Sequence, residues 1–377
     1  MIAATRAQGA DLADWWWSLD RVLMSALLTL VAAGLLLSLA ASPAAADRLS
    51  IADPFHFLYR HGFYAGLAII AMLVLSTLSN LDARRVAILA ALVALVFTAA
   101  TLEFGHEVKG ATRWLRFGFF SLQPSEFLKP AFIVGAAWLF AEQRRGAPPL
   151  AAAMAVIMYF VSVALLMAQP DFGQSVLLTV VFGALFFLAG LPILWTALLG
   201  LCAAAGSFAA YKMFPHVAER VDGFLNPESS ENYQIERATE ALSRGGLFGV
   251  GPGEGQVKAS LPDAHTDFIF AVAVEEYGLV AGLLIAGLFA VVVWRGLRAA
   301  HRMADPFLQL AVSGLTLLIG LQAFINIAVN LSLVPPKGMT LPFISYGGSS
   351  MLATAFTAGL LLAFTRRRPG VYDRSAL

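Results

Sequence analysis

The sequence has little charge and almost no cysteine. Charged residues make up 13% of its 377 positions, against about 25% in soluble domains. The formal net charge is only +1, which argues against a nucleic acid or another polyanion as a partner. The single cysteine, Cys202, excludes an internal disulfide and a cysteine-based metal site. Walker A, H-E-x-x-H and G-x-S-x-G motifs are also absent, so no such signature points to a nucleotide, zinc or serine-hydrolase site.

Hydrophobic residues dominate instead, at 59% of the sequence. Runs of about 18 or more apolar residues recur, which is the length needed to cross a hydrocarbon core of roughly 30 Å. We therefore predict an all-α polytopic membrane protein with about ten transmembrane helices. It is expected to form a single integral membrane domain over 1–377, with its bundle over 22–365. The predicted spans are 22–41, 62–80, 85–101, 124–141, 149–167, 173–190, 193–211, 268–294, 307–329 and 350–365.

Four arginine-rich segments test the number of spans. If ten spans are present, "DARR", "EQRRG", "RGLRAAHR" and "TRRRPG" all fall on one side of the membrane. Positively charged loops mark the cytoplasmic side, so the tails 1–21 and 366–377 are predicted to be cytoplasmic. The opposite side receives one large extracytoplasmic loop, 212–267, between the seventh and eighth spans. Its segment 228–246 is typical of a short amphipathic helix closed by two glycines.

Ionisable residues stand at the outer ends of several spans. Glu126 and Lys129 lie three residues apart, on one face of the start of the fourth predicted span. At that depth a charge is costly and usually faces a cavity or a partner, although a purely structural ion pair also explains the pattern. Asp171, in "QPDFG", stands at a turn where it either caps the next helix or serves a function.

The segment "LPDAHTDFIF" carries more polar groups than the start of a membrane span needs. Thr266 or Asp267 would suit the N-cap of the eighth span. Glu275 and Glu276 lie deeper in the same helix, where carboxylates must be paired, protonated or hydrated. His265 is expected to form loop hydrogen bonds rather than bind a metal, since no second histidine lies at ligand spacing.

The segment "PPKGMTLPFISYGGSS" (335–350) combines prolines and glycines with hydroxyl and ammonium groups. Irregular backbone of this kind is tolerated at membrane depth only where it lines protein or a water-filled cavity. With basic residues of the other outer loops, it offers donors suited to a phosphate or diphosphate. Solvated loop charges are the alternative for each cation. The candidate ligands are Lys109, Arg113, Lys258, Lys337, Ser345 and Ser349.

Four segments, in order, resemble the SEDS family (shape, elongation, division and sporulation proteins). They are "KGATRWLRFGFFSLQPSEFLKPAF", "QPDFGQS", "GVGPGEGQVKASLPDAHTDFIFAVAVEEYG" and "KGMTLPFISYGGSS", and the resemblance runs from about residue 100 to 368. The first and last segments are more similar to the division members of the family than to its elongation members. Pro336 departs from the pattern, because many division members have threonine there.

The resemblance implies a function and a site. Family members are ten-span peptidoglycan glycosyltransferases that polymerise lipid II on the outer face of the cytoplasmic (inner) membrane. They work among membrane lipids with a class B penicillin-binding protein transpeptidase and, for division members, with other division proteins at the septum. By this resemblance Asp267 is the catalytic aspartate. The resemblance also assigns Glu126, Lys129 and Asp171 to the site. His265 and Glu276 are further candidates as supporting residues of the same cavity.

The chemistry of such a transfer needs a base and a cation. Lipid II carries its disaccharide on an α-linked diphosphate and the polymer is β-1,4-linked, so the transfer inverts the anomeric carbon and releases undecaprenyl diphosphate. Asp267 would act as the base for the acceptor hydroxyl. Cations, or a Mg²⁺ or Mn²⁺ ion held partly by Asp171, would stabilise the departing diphosphate. A lipid II flippase and a non-catalytic scaffold for the transpeptidase are the alternatives; ionisable groups at the outer span ends favour catalysis over ion-coupled transport.

Overall fold

The computed structural model describes most of the chain. The described residues are 13–108, 111–118, 120–148, 150–191, 193–213, 218, 222, 233–335 and 338–367. Two of the candidate phosphate ligands, Lys109 and Lys337, lie outside the described residues, as does Pro336.

Ten long helices among the described residues carry the ten predicted spans, one span to each helix. In chain order the helices are α1 (Arg21–Arg48), α2 (His56–Thr77), α3 (Asn80–Phe104), α4 (Pro124–Arg144), α5 (Leu150–Ala168), α6 (Phe172–Leu188), α7 (Ile193–Met213), the shorter α8 (Tyr233–Gly245) and α9 (Val257–Ser260), then α10 (Ile269–His301), α11 (Pro306–Asn330) and α12 (Gly348–Thr365). By length and composition, seven of the described helices are able to cross a membrane, and α6 is a shorter apolar helix. The predicted class, a polytopic α-helical membrane protein, is confirmed.

The helices differ in how much of their surface faces the membrane. In α12 and α11, 83% and 67% of the most apolar stretch is buried inside the protein, whereas in α3 and α5 the share is 22%. The outward faces of α3 and α5 carry exposed apolar side chains such as Leu89 and Ile157. Lipid is as apolar as these side chains, so their exposure is compatible with a membrane environment. The centre of the bundle therefore lies around α11 and α12.

The arginine-rich segments meet at one end of the bundle, as predicted. Arg295 at the end of α10 donates to Asp20 at 3.1 Å. Arg366 donates to the carbonyl oxygen of Thr77 at 2.9 Å, which joins the ends of α12 and α2. Arg145 and Asp305 form an ion pair at 2.8 Å between the end of α4 and the start of α11. We refer to this as the arginine end and to the opposite end, where Asp267 lies, as the outer end.

A small antiparallel sheet stands in the loop between α3 and α4. Its strands are β1 (His106–Val108), β2 (Ala111–Phe117) and β3 (Phe120–Leu122), in the order β1-β2-β3. The sequence does not predict this sheet, because β1 and β3 have only three residues each and the seven residues of β2 do not alternate strictly between apolar and polar. β3 leads within two residues into α4. The sheet thus positions the start of the helix that carries Glu126 and Lys129.

The amphipathic helix predicted in the large loop forms α8 and ends at a glycine pair. Gly246 follows α8 with a φ of +52°, the left-handed conformation that glycine adopts easily after a helix. Gly245 lies so close to α10 that a β-carbon there would be 2.0 Å from the carbonyl oxygen of Val274. A side chain at position 245 would push α8 away from α10.

Helix α10 is broken at Gly278, whose φ of 82° and ψ of 175° are not helical. The break leaves backbone groups without partners in the helix, and the loop 246–251 binds two carbonyl oxygens and two N–H groups around it. The bonds are Val250 N to Glu275 O (2.9 Å), Gly251 N to Glu276 O (3.1 Å), Leu279 N to Gly246 O (2.9 Å) and Val280 N to Leu247 O (3.3 Å). Unpaired backbone groups are costly in hydrocarbon, so the loop completes the broken span.

Candidate active site

Three side-chain amides form a row along one face of α11. Gln322, Asn326 and Asn330 follow each other at intervals of four residues, which places them on successive turns. Each is at most 5% exposed. Buried amides are costly without hydrogen bonds, and all three donate to main-chain carbonyl oxygens. This amide row connects two polar clusters, one around Lys129 and one around Asp267.

The first cluster surrounds Lys129, which is 1% exposed. Its Nζ donates to Glu126 Oε2 at 2.9 Å and to Gln174 Oε1 at 2.6 Å, with Gln322 Oε1 at 3.4 Å. Gln174 Nε2 closes the ring by donating to Glu126 Oε1 at 2.7 Å. The ion pair predicted from the i, i+3 spacing is therefore present, and two amides complete its hydrogen bonds. A buried charge needs such partners to be tolerated.

A small cavity adjoins this cluster. Glu126 and Lys129 form part of its wall, so the ion pair borders open space within the bundle. The other lining residues are Leu318, Ile319, Gln322, Pro342, Ala353, Thr354 and Thr357. The cavity lies between α4, α11 and α12, and the 338–347 segment closes one side through Pro342.

The second cluster surrounds Asp267, which is partly exposed. The expected capping of the eighth span by Thr266 or Asp267 is wrong: Phe268 is the N-cap residue of α10 and no side chain of its own caps the helix. A neighbouring helix supplies the cap instead, because Asn330 Oδ1 accepts from the N–H of Ala271 at 3.0 Å. Thr266 uses its hydroxyl on the carbonyl oxygen of Asp263, at 3.1 Å.

The Asp267 carboxylate lies against the irregular segment before α12. Gly338 has a φ of +62°, and a β-carbon at this position would be 3.7 Å from Asp267 Oδ2. Asn326 joins the two segments, since its amide donates to Asp267 O at 2.9 Å and to Met339 O at 2.6 Å. The glycine itself places no side chain beside the carboxylate.

The same two segments pair again a few residues away. Ser345 Oγ donates to the carbonyl oxygen of Thr266 at 2.5 Å, and the N–H of Tyr346 donates to His265 O at 2.9 Å. The His265 ring packs on Phe57, with ring centroids 4.4 Å apart. Burial raises the pKa of the Tyr346 phenol above its ordinary value. The segments around Asp267 and Tyr346 together form one wall at the outer end.

Asp171 caps a helix and pairs with an arginine. Its carboxylate accepts from the N–H of Gln174 at 3.4 Å as the N-cap of α6, and Arg113 Nε lies 3.7 Å from its Oδ2. Arg113 also donates to the carbonyl oxygens of Gln169, at 3.0 Å, and Pro170. Burial raises the pKa of Asp171, and the Arg113 guanidinium opposes this shift. The capping interpretation is confirmed, and Gln174 links this turn to the Lys129 cluster.

The described residues do not fit the divalent cation suggested for Asp171. No group of three or more His, Cys, Asp or Glu side chains among them is arranged to hold a metal ion. The Asp171 carboxylate instead faces a guanidinium, and Mg²⁺ or Mn²⁺ needs further oxygen ligands at short range. We therefore derive no step through a metal.

Several candidate phosphate ligands hold the backbone rather than face open space. Lys258 is 8% exposed, forms an ion pair with Glu276 and donates to Gly253 O at 3.2 Å. Ser349 is also buried; it donates to Ser121 O at 2.9 Å and accepts from the N–H of Gln123 at 3.1 Å. Like Ser345, these groups are already used between protein segments. Glu276 belongs to the Lys258 pair and not to the clusters joined by the amide row.

The sequence patterns do not single out the amide row or Gln174. A signal for the row is present, because three amides at i, i+4 and i+8 in an otherwise apolar span require partners. Gln174 carries no comparable signal. Its role depends on the packing of α6 against α4, which local spacing does not reveal.

The chain has close relatives over nearly its whole length. The model of a family described as "Cell cycle protein" (FtsW/RodA/SpoVE) matches residues 20–369. The chain is 52% identical over 99% of its length to a "Probable peptidoglycan glycosyltransferase FtsW" of Caulobacter vibrioides, of which it covers 96%. It is 37% identical over 92% of its length to a protein with the same description from Alkalilimnicola ehrlichii, of which it covers 89%.

Two solved structures resemble this chain over most of its length. A chain described under "Structural coordination of polymerization and crosslinking by a peptidoglycan synthase complex" is 26% identical, with a TM-score of 0.76 over 93% of this chain and 98% of that chain. The "Rod shape determining protein RodA" of Thermus thermophilus is also 26% identical, with a TM-score of 0.70 over 93% of this chain and 97% of that chain. With the ten long helices and the order of its polar segments, the chain belongs to the FtsW/RodA/SpoVE family, the SEDS proteins.

Proposed function

We propose that this chain is a peptidoglycan glycosyltransferase for septal wall synthesis, which joins lipid II disaccharide units into β-1,4 glycan chains. The observation that carries the proposal is the position of Asp267. Asp267 is partly exposed at the outer end, and its carboxylate lies beside Gly338, which has no side chain. The family membership and the descriptions of the relatives support the same reaction class.

The proposed step is a single displacement with inversion. Asp267 removes the proton from the 4-hydroxyl of the acceptor sugar while that oxygen forms a bond to the anomeric carbon. The bond from the anomeric carbon to the diphosphate breaks, and its electron pair leaves with undecaprenyl diphosphate. A positioned carboxylate base contributes about 10²–10⁴-fold to such a step.

Cations at the outer end stabilise the leaving diphosphate. Among the described residues, we assign this role to Arg113, whose side chain is 20% exposed, and to Lys129 beside the cavity. Fixed cations aimed at developing charge supply the electrostatic part of catalysis. Lys109 and Lys337 are further candidates by their sequence positions alone. Ser345, Ser349 and Lys258 support the site by holding its walls.

The arginine end is assigned to the cytoplasm by the positive-inside rule. Both termini then lie in the cytoplasm, and Asp267 faces the periplasmic side of the inner membrane. The proposed partner is a class B penicillin-binding protein transpeptidase at the division septum. The relative from a complex that couples polymerization and crosslinking supports this pairing.

The test is reconstitution of the purified chain with its transpeptidase partner and lipid II, without another polymerase. We expect glycan chains from the wild-type protein and none from Asp267→Asn, because the amide cannot accept the proton. Asp263→Asn is the matched control: the same change four residues away, at a φ of +54° that asparagine tolerates. Full polymerisation by folded Asp267→Asn would contradict the assignment of the base.

A lipid II flippase is the second candidate function. The buried Lys129–Glu126 pair beside a cavity favours it, because ionisable groups inside a bundle often mark transport paths. Vesicles with labelled lipid II separate the two functions. Translocation without polymerisation would support the flippase, and absence of both activities in the folded complex would support a non-catalytic scaffold.

A further inference from the structure

Two amides of the row donate to one acceptor, the main-chain carbonyl oxygen of Asp267. The distances are 2.9 Å from Asn326 Nδ2 and 3.0 Å from Asn330 Nδ2. The two asparagines are 1% and 0% exposed, so water competes little for these bonds. A carbonyl group held by two fixed donors has little freedom to rotate, which fixes the main chain from which the side chain of the same residue projects.

Each asparagine also fixes a second element next to Asp267. Asn326 donates to Met339 O at 2.6 Å, which sets the position of the segment that carries Gly338. Asn330 accepts from the N–H of Ala271 at 3.0 Å, in the first turn of α10. Through these bonds, α11 fixes the position of Asp267 relative to the segment around Gly338 and relative to the first turn of α10.

We infer that Asn326 and Asn330 are positioning residues, which hold the Asp267 carboxylate at the place beside residues 338–340 where the acceptor hydroxyl arrives. The inference rests on the proposed function, in which Asp267 is the base. Both asparagines act through the backbone of Asp267 and neither touches the reacting atoms. A misplacement of about 1 Å costs about 100-fold in rate, so their loss reduces kcat and leaves lipid II binding intact.

The experiment compares Asn326→Leu and Asn330→Leu in the complex with the transpeptidase, from initial rates over a range of lipid II concentrations. We expect kcat to fall about 10- to 100-fold, with KM changed by no more than about twofold. Asn326→Ser, which keeps one donor, should give an intermediate kcat. Thr316→Val is the control in the same helix, since this buried hydroxyl has no hydrogen-bond partner among the described residues; its kcat should equal that of the wild type.

The outcomes separate a positioning role from a structural one. If folded Asn326→Leu and Asn330→Leu keep the kcat of Thr316→Val, the inference is overturned. A higher KM with unchanged kcat also overturns it, because the asparagines then serve substrate binding. Thermal melting in detergent identifies a variant that does not fold, and Asn326→Ser then decides in place of Asn326→Leu.

Asp267→Asn, measured in the same assay, separates the inference from the proposed function. If the wild-type complex makes no glycan chains, the proposed function fails and the inference fails with it. If Asp267→Asn polymerises lipid II at the full rate, the assignment of the base fails, and the positioning role fails with it. If it is inactive while both leucine variants keep their kcat, only the positioning role is lost.

Discussion

Two buried lysine–glutamate pairs in this molecule share their chemistry and differ in their surroundings. The Lys129–Glu126 pair is completed by two glutamine amides and borders a cavity. The Lys258–Glu276 pair lies under the glycine-rich loop, where the lysine also binds the carbonyl oxygen of Gly253. The first pair borders a small cavity, whereas the second pair holds a loop. Structural ion pairs are also buried in proteins, so burial alone does not indicate function. The cavity beside Lys129 distinguishes the two pairs.

The largest effect is expected from Lys129→Met. Loss of the cation should reduce lipid II polymerisation about 100-fold or more, and the unpaired Glu126 should lower the free energy of unfolding by about 3–5 kcal/mol. The double variant Lys129→Met/Glu126→Gln should regain most of the stability and little of the activity. Glycan synthesis and thermal melting of the same preparations measure the two effects. Wild-type polymerisation by the double variant would reduce this pair to a structural role.

Lys258→Met tests the second pair, which lies under the glycine-rich loop. It leaves Glu276 buried without its partner, so we expect a loss of about 3–5 kcal/mol in the free energy of unfolding. The rate of polymerisation per folded molecule should stay near that of the wild type, and Lys258→Met/Glu276→Gln should recover the stability. If the double variant is stable but does not polymerise lipid II, the Lys258–Glu276 pair is also needed for activity, and the contrast with the Lys129–Glu126 pair is wrong.

The smallest effect is expected at an exposed pair. Arg145 and Asp305 form an ion pair at 2.8 Å at the arginine end, and both side chains are 40% exposed. Water screens such pairs, so Arg145→Gln should change the free energy of unfolding by less than about 1 kcal/mol. Urea or thermal unfolding in detergent gives the value. If Arg145→Gln lowers the free energy of unfolding as much as Lys258→Met does, burial does not explain how much these ion pairs stabilise the protein.

Hydropathy and arginine placement were sufficient to predict the bundle. A membrane span must be long and apolar, and each of the ten predicted spans falls on one helix. The contacts of Arg295 and Arg366 with Asp20 and Thr77 confirm that the arginine-rich segments share one end. The small sheet before α4 was not predictable in this way, because two of its strands have only three residues and β2 does not alternate between apolar and polar residues.

The candidate site was predictable only where the contacts are local. The Glu126–Lys129 pair follows from a spacing of three residues on one helix. The cap of α10 does not follow from local spacing, because the Asn330 side chain accepts from the N–H of Ala271, which lies 59 residues away in the sequence. The sequence offers Lys258, Ser345 and Ser349 as candidate phosphate ligands because it shows which groups can donate. It does not show which carbonyl oxygen or carboxylate already accepts from them.

The break in α10 at Gly278 has a mechanical consequence. The loop 246–251 is bonded to both halves of the broken span, so it cannot be lifted away without exposing several backbone groups to hydrocarbon. A pull on α8, which precedes this loop, is therefore transmitted to the turn of α10 that contains Glu275 and Glu276. From there it reaches the first turn of the helix and Asp267. The loop and both halves of the broken span therefore form one mechanical unit, which continues to Asp267 next to the start of α10.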